Sequence, residues 1–180
     1  TTYTNIGMKD FWGDYMRVYL KDLLKICSGF GRVVLRIKPH YSDERYFGKL
    51  LKEWGAKGSV AELLSHREDI FQLEHEADLV VTPESTVISE AIMLNKPVIV
   101  LDYPRNGLTL PQYETKGIIM RASCKEDLEK CLRKVLYDSE TQKTLERNRL
   151  QAGNYFTGPF DGKNASRVAK IISEHMSAKA

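Results

Sequence analysis

Ser85 and Thr86 stand side by side in the stretch TPESTVISEAIMLNKPVIVLDYP, residues 82–104, and Glu90 follows Thr86 by four positions. On a helix that spacing puts two side chains on one face, a turn apart. Hydroxyls at the start of a helix lie beside unpaired N–H groups and a partial positive charge, the chemistry that holds a phosphate or diphosphate. A carboxylate touching that phosphate would repel it. Glu90 is better used one turn down, accepting hydrogen bonds from the two hydroxyls of a ribose. The plain alternative makes Ser85 or Thr86 an N-cap worth about 1 kcal/mol and Glu90 a solvated acid. A capping box does not account for Glu90, since its cap would then be Val87, a poor capping residue. Spacing alone leaves both readings open.

Other residues could join such a site. His40 follows Arg36 and Lys38 in RVVLRIKPH, a locally basic loop where a histidine can neutralise a phosphate or protonate a leaving oxygen; the bland reading is a surface histidine. Asp161, Gly162 and Lys163 could reach a cleft from the start of the last helix, although Asp-Gly is also a common turn. Tyr103, Pro104 and Arg105 form a loop on which a base could stack, and Glu84 flanks the hydroxyl pair. Lys96 reads as a helix-end cation and Pro97 as the first residue of a strand. His66 and His75 flank a short helix without a third ligand at metal-like spacing, so they read as solvated and no metal is expected. GFGRVV, residues 29–34, is not a dinucleotide fingerprint, because it precedes its strand and lacks a third glycine.

The elements that must position these residues follow from periodicity. Phe11, Tyr15, Val18, Leu23 and Ile26 approximate helical spacing in DFWGDYMRVYLKDLLKIC. RVVLRIKPH is a strand stopped by Pro39, and SDERYFGKLLKEWG a helix with Ser42 as N-cap and Gly55 as stop. SVAELLS predicts a weak strand, EDIFQLEHEA a helix, DLVVT (residues 78–82) a strand, STVISEAIML a helix and PVIVLDY a strand. After a loop with Pro104, Gly107 and Pro111 come the strand GIIMRA and three helices, KEDLEKCLRKVL, SETQKTLERNRL and ASRVAKIISEHM. Such alternation predicts an α/β domain with a mainly parallel sheet. Ligands then bind at the carboxyl ends of the strands, where Thr4, Asn5, His40, Pro83 to Thr86, Tyr103 and Arg105 fall.

Composition narrows the class. The 180 residues, 42% hydrophobic and 28% charged, suit one domain with a sizeable core. Lys and Arg exceed Asp and Glu by three, 27 against 24, without a block or stripe, which argues against nucleic acid as the main partner. No run approaches the roughly 18 apolar residues of a membrane span. Cys27, Cys124 and Cys131 show no metal or CxxC spacing, and Cys124 and Cys131 lie roughly 10 Å apart along one helix, too far to pair. A reduced, cytosolic protein is expected. Because TTYTNIG runs from Thr1 straight into a helical pattern, the chain reads as a fragment of a longer protein.

The segment ADLVVTPESTVISEAIMLNKPVIVLDYP resembles the donor-binding segment in the C-terminal half of glycosyltransferase-B folds. Within that group the chain is most similar to the CDP-glycerol glycerophosphotransferase family: FDGKNASRVAKII, residues 160–172, resembles its closing Asp-Gly-Lys…Ser…Arg element, and LRIKPH its strand ending in a histidine turn. The resemblance implies a Rossmann-like three-layer αβα domain spanning residues 1–180, with its first strand and a whole N-terminal acceptor domain lying outside the sequence. It assigns Ser85 and Thr86 to the diphosphate, Glu90 to the helix acid and His40 to the basic turn. The implied activity is transfer of a glycosyl or glycerophosphoryl group from a CDP- or UDP-linked donor to a cell-surface polymer or glycolipid, with no cofactor besides that donor. The missing half would hold the acceptor and could attach peripherally at the inner face of the membrane, leaving this domain inactive alone. Pro83 and Glu84 depart from the family, which carries Asp and an aromatic there, so a sugar nucleotide donor stays open. Two alternatives remain: an isomerase resembling UDP-N-acetylglucosamine 2-epimerase, whose turn is Ser-Gly-Gly, and a non-catalytic nucleotide-binding module of flavodoxin or receiver type.

Overall fold

The computed structural model of the chain describes residues 8–40, 42–55, 61–103, 111–156 and 161–177, with side chains from residue 15 onward and excluding 153–156. Helices and strands alternate in the order α1 (Met8–Ser28), β1 (Leu35–Ile37), α2 (Glu44–Glu53), β2 (Ala61–Leu63), α3 (Ile70–Glu76), β3 (Val80–Pro83), α4 (Val87–Met93), β4 (Val98–Leu101), α5 (Gln112–Thr115), β5 (Met120–Ala122), α6 (Lys125–Tyr137), α7 (Ser139–Phe156) and α8 (Asn164–Ser177). Every pairing among the described strands is parallel: β1 with β2, and β3, β4 and β5 in that order. Parallel neighbours need crossover connections, which α2, α4 and the segment containing α5 supply.

The central strand shows why the apolar runs are continuous. Val98, Ile99 and Val100 are wholly buried and Leu101 nearly so. Alternate residues serve opposite faces. Ile99 and Leu101 pack with Leu20, Leu23, Leu128 and Leu132 of α1 and α6, whereas Val98 and Val100 pack with Ile88, Ala91 and Ile92 of α4 and Ala152 of α7. Helices therefore cover both faces, and no polar position was available in PVIVL. Ile37 and Ala61 join the same cluster as Ile99 and Leu101, so one core serves both groups of strands.

Several boundaries differ from expectation, each for a local reason. The buried stripe of α1 runs through Tyr19, Leu20, Leu23, Ile26 and Cys27, leaving Val18 at its edge, half exposed. The N-cap of α2 is Asp43, not Ser42; the Ser42 hydroxyl instead donates to the Asp43 carboxylate at 2.9 Å. Gly55 does end that helix region, at φ +62°. The expected strand GIIMRA begins only at Met120: Gly117 sits at φ +61°, and the amides of Ile118 and Ile119 turn back to the Tyr113 carbonyl of the short helix α5, which sequence reading left as loop. α4 ends in a Schellman turn, with Asn95 left-handed at φ 55°, its N–H donating to the Ile92 carbonyl and that of Lys96 to the Ala91 carbonyl. Asn95 Oδ1 also accepts from Nε of the buried Arg149 at 3.1 Å, which ties α7 to the end of α4.

Cys27 and Cys131 are free and buried, and burial pushes both thiols up to about 11. Helix α8 buries none of its described side chains; Val168, Ile171, Ile172 and Met176 are all more than half exposed. No helix among the described residues is long and apolar enough to cross a membrane.

Candidate functional site

The Pro83–Thr86 turn is positioned by β3, the outer strand of the three-stranded sheet among the described residues, where Pro83 pairs with Leu101 without an N–H to contribute. Thr82 is buried and spends its hydroxyl on the Pro83 carbonyl at 2.9 Å, fixing the chain as it leaves the sheet. Thr86 is the N-cap of α4, yet it holds helical dihedrals, φ −60° and ψ −24°, and its side chain makes no capping bond. Its exposed hydroxyl is therefore not consumed by the helix. Ser85 Oγ accepts from the Val87 N–H only at a long 3.4 Å. The N-cap explanation thus accounts weakly for Ser85 and not at all for the Thr86 side chain.

Glu90, in the first turn of α4, is half-buried, and α3 packs against that helix. From α3 comes Glu74, an acid that sequence reading passed over. It is 3% exposed, and among the described residues neither carboxylate oxygen has a hydrogen-bond partner. Burial first, and the charge of Glu90 second, push its carboxyl up to about 7. Two acids thus lie on neighbouring helices, Glu90 half-buried on α4 and Glu74 buried on α3 within reach of its charge.

The same carboxyl end of the three-stranded sheet, beyond β4 and β5, carries a polar network. Asp102, one residue beyond β4, is 6% exposed; Arg121 Nη1 donates to it at 3.1 Å and Arg121 Nε lies 3.0 Å from the Glu114 carboxylate. These two carboxylates hold the guanidinium charged, raising its affinity for its proton. Ser89 Oγ lies 3.3 Å from the Tyr113 hydroxyl, which links α4 to α5.

The remaining predicted residues are distributed differently. His40 is exposed, carried by the β1 end, with Nδ1 3.1 Å from Ser42 Oγ. Tyr103 turns inward: its hydroxyl donates to Asp22 at 3.1 Å and its ring meets Tyr19 edge-on, so ring and hydroxyl are engaged with α1. Glu84 is exposed beside the hydroxyl pair. Asp161 accepts from the Lys163 N–H at 3.0 Å and pairs with Arg167, closing a turn with Gly162 at φ +71° that starts the exposed helix α8. Lys163 is exposed on that turn. Arg105, Thr4 and Asn5 lie outside the described residues. His66 is not a freely solvated histidine: Nδ1 pairs with Glu44, its carbonyl accepts from Lys38 Nζ at 3.1 Å, and the bond from His66 holds the Glu44 carboxyl below its ordinary range. Among the described residues, no group of three His, Cys, Asp or Glu is placed to hold a metal ion.

A hollow lined by Arg36, Glu62, Glu68, Asp69, Gln72 and Glu76 lies on the other side of α3. It contains none of the predicted residues, and Arg36 spans it by pairing with Glu62 and Glu76.

No protein-family model matches the chain, and no curated protein matches it. A solved structure does: a UDP-N-acetylglucosamine 2-epimerase superposes over 80% of this chain with a TM-score of 0.60 at 19% identity. The fold is Rossmann-like, of the glycosyltransferase-B type. The chain spans 43% of that epimerase chain, less than half its length. At this identity the likeness concerns the arrangement of strands and helices, and the roles of individual residues rest on their own geometry.

Proposed function

We propose that the chain is the donor-nucleotide-binding half of a transferase that moves a glycosyl or glycerophosphoryl group from a CDP- or UDP-linked donor to a cell-surface polymer or glycolipid. The observation that carries this reading is the Thr86 hydroxyl, exposed at the carboxyl end of a parallel strand and not used to cap its helix. In an α/β sheet of this type the crevice beyond the strand ends is where nucleotides lie. Ser85 and Thr86 hold the diphosphate, Glu90 accepts from the ribose one turn below, and the departing diphosphate's charge is stabilised by donors already in place. His40 is the candidate acid, and Glu84, Arg105, Asp161 and Lys163 are candidate flanking contacts. The acceptor and the catalytic base belong to a second domain, and the working enzyme is cytoplasmic, at the inner face of the membrane.

A second reading, an epimerase acting on a nucleotide-linked sugar, is favoured by the solved structure that shares the fold. Calorimetric titration with UDP-N-acetylglucosamine, CDP-glycerol, GDP-mannose and ADP-glucose tests the shared premise. One or two of these should bind, and the double change Ser85→Ala/Thr86→Ala should weaken binding by roughly 100-fold or more, the loss of two hydrogen bonds to charged oxygens. Binding indifferent to that change and to Glu90→Ala refutes the site. Preference for CDP-glycerol favours the transferase, and release of a C2-inverted sugar by the complete enzyme favours the epimerase.

A further inference from the structure

Glu74, on the helix that packs against α4, has no use in the proposed nucleotide site as it stands. Glutamate is almost never fully buried unless paired. Glu74 has no donor among the described residues, and the charged group whose field reaches it, Glu90 on α4, has the same sign. The charges elsewhere on α3 are directed away: Glu76 pairs with Arg36, and His75 is exposed. An ionised carboxylate in that position is opposed by desolvation and by its neighbour together, so Glu74 favours its neutral form.

We propose that Glu74 is a positioning residue for Glu90 that works in its neutral, protonated form, so that the site receives an anionic nucleotide with one charged carboxylate in place of two. This rests on the nucleotide reading of the α4 turn. Neutral Glu74 leaves Glu90 alone as the carboxylate acceptor for ribose hydroxyls. Loss of the proton adds a second buried negative charge near the bound diphosphate and weakens binding roughly tenfold. The approach to neutral pH thus becomes a brake on ligand affinity, set by a residue that the ligand does not touch.

The experiment compares wild type with Glu74→Gln, a neutral side chain of the same shape. The probe is UDP-N-acetylglucosamine or CDP-glycerol, whose diphosphates do not titrate between pH 6 and 8.5. Wild-type affinity should fall roughly tenfold across that range, whereas the variant should hold the low-pH affinity within twofold. Histidine titrations are common to both proteins and cancel. A variant that follows the wild-type profile, or that loses affinity at both pH values, overturns the proposal.

If neither probe binds wild type at any pH, the nucleotide reading fails and takes the ligand half of this proposal with it. The proton is then decided by thermal midpoints. A carboxyl whose folded value is raised above its unfolded 4.5 stabilises the fold at low pH and loses that effect as pH rises to about 7. Wild type should lose midpoint between pH 5 and 7.5 relative to the variant; parallel curves overturn the proposal. If the variant does not fold, carbon-13 titration of the wild-type glutamate carboxyls decides, a midpoint near 7 supporting it and all midpoints below 5 overturning it.

Discussion

Replacing Arg121 by Met should expose how much the fold depends on the charge pair that closes the β4 end. The Asp102 side chain is 6% exposed, and Arg121 is its charged partner at 3.1 Å. Breaking a buried pair from one side costs about 3–5 kcal/mol, because the remaining charge stays desolvated without its counter-ion. Arg121 is one-third exposed, so water entering the space it vacates reduces the expected loss to about 2–4 kcal/mol. The Glu114 contact adds little, since that carboxylate is 39% exposed and surface pairs contribute about 0–1 kcal/mol. In a domain of this size the loss corresponds to a midpoint lower by roughly 4–16 °C. Urea unfolding followed by tryptophan fluorescence measures it. Asp102→Asn alone should cost less, because Arg121 keeps Glu114 and can turn toward solvent. The double variant should fall short of the sum of the singles by at least about 1 kcal/mol. A loss below about 0.5 kcal/mol for Arg121→Met, or strict additivity, refutes the claim that Asp102 depends on this partner.

Gly117→Ala should cost about 1–2 kcal/mol by chemical denaturation, because the position has φ +61° and a Cβ there would lie 2.9 Å from Asn148 Nδ2, which donates to the Gly117 carbonyl. Leu128→Ala, at a wholly buried position between α6 and the sheet, should cost about 2–5 kcal/mol with an unchanged far-ultraviolet circular dichroism spectrum. Asn95→Ala should cost about 1–3 kcal/mol, since it removes the acceptor of Nε of the buried Arg149, whose Nη1 already lacks a partner among the described residues; Asn95→Gly, which relieves the left-handed backbone but also removes that acceptor, should recover only part of the loss.

How legible the molecule was in its sequence depended on how local the deciding interactions are. The strand VIVL was recognisable because burial on both faces leaves no polar position, and the parallel arrangement followed from strands alternating with helices. The start of β5 was not, because Ile118 and Ile119 are β-formers held in a turn by the carbonyl of Tyr113, a contact of α5 that no propensity contains. Ser85, Thr86 and Glu90 were recognisable as a group from spacing. Tyr103 sits at a strand end as expected, but its orientation toward Asp22 is set by α1, more than eighty residues earlier. Glu74 looked like any solvated acid of a short helix, since nothing in LEHEA distinguishes the residue that α4 will cover.

By itself, then, the sequence determined the alternation of strands and helices, the doubly buried central strand and the placing of hydroxyls and an acid at one strand end, because periodicity and turn chemistry are properties of a few consecutive residues. Only the tertiary structure decided that Thr86 leaves its hydroxyl out of the cap of α4, that Asp102 is paired with Arg121, and that Glu74 is buried without a donor among the described residues. Each of these depends on which water is excluded and which partner arrives from another element, and burial and pairing of that kind are fixed only when distant segments pack.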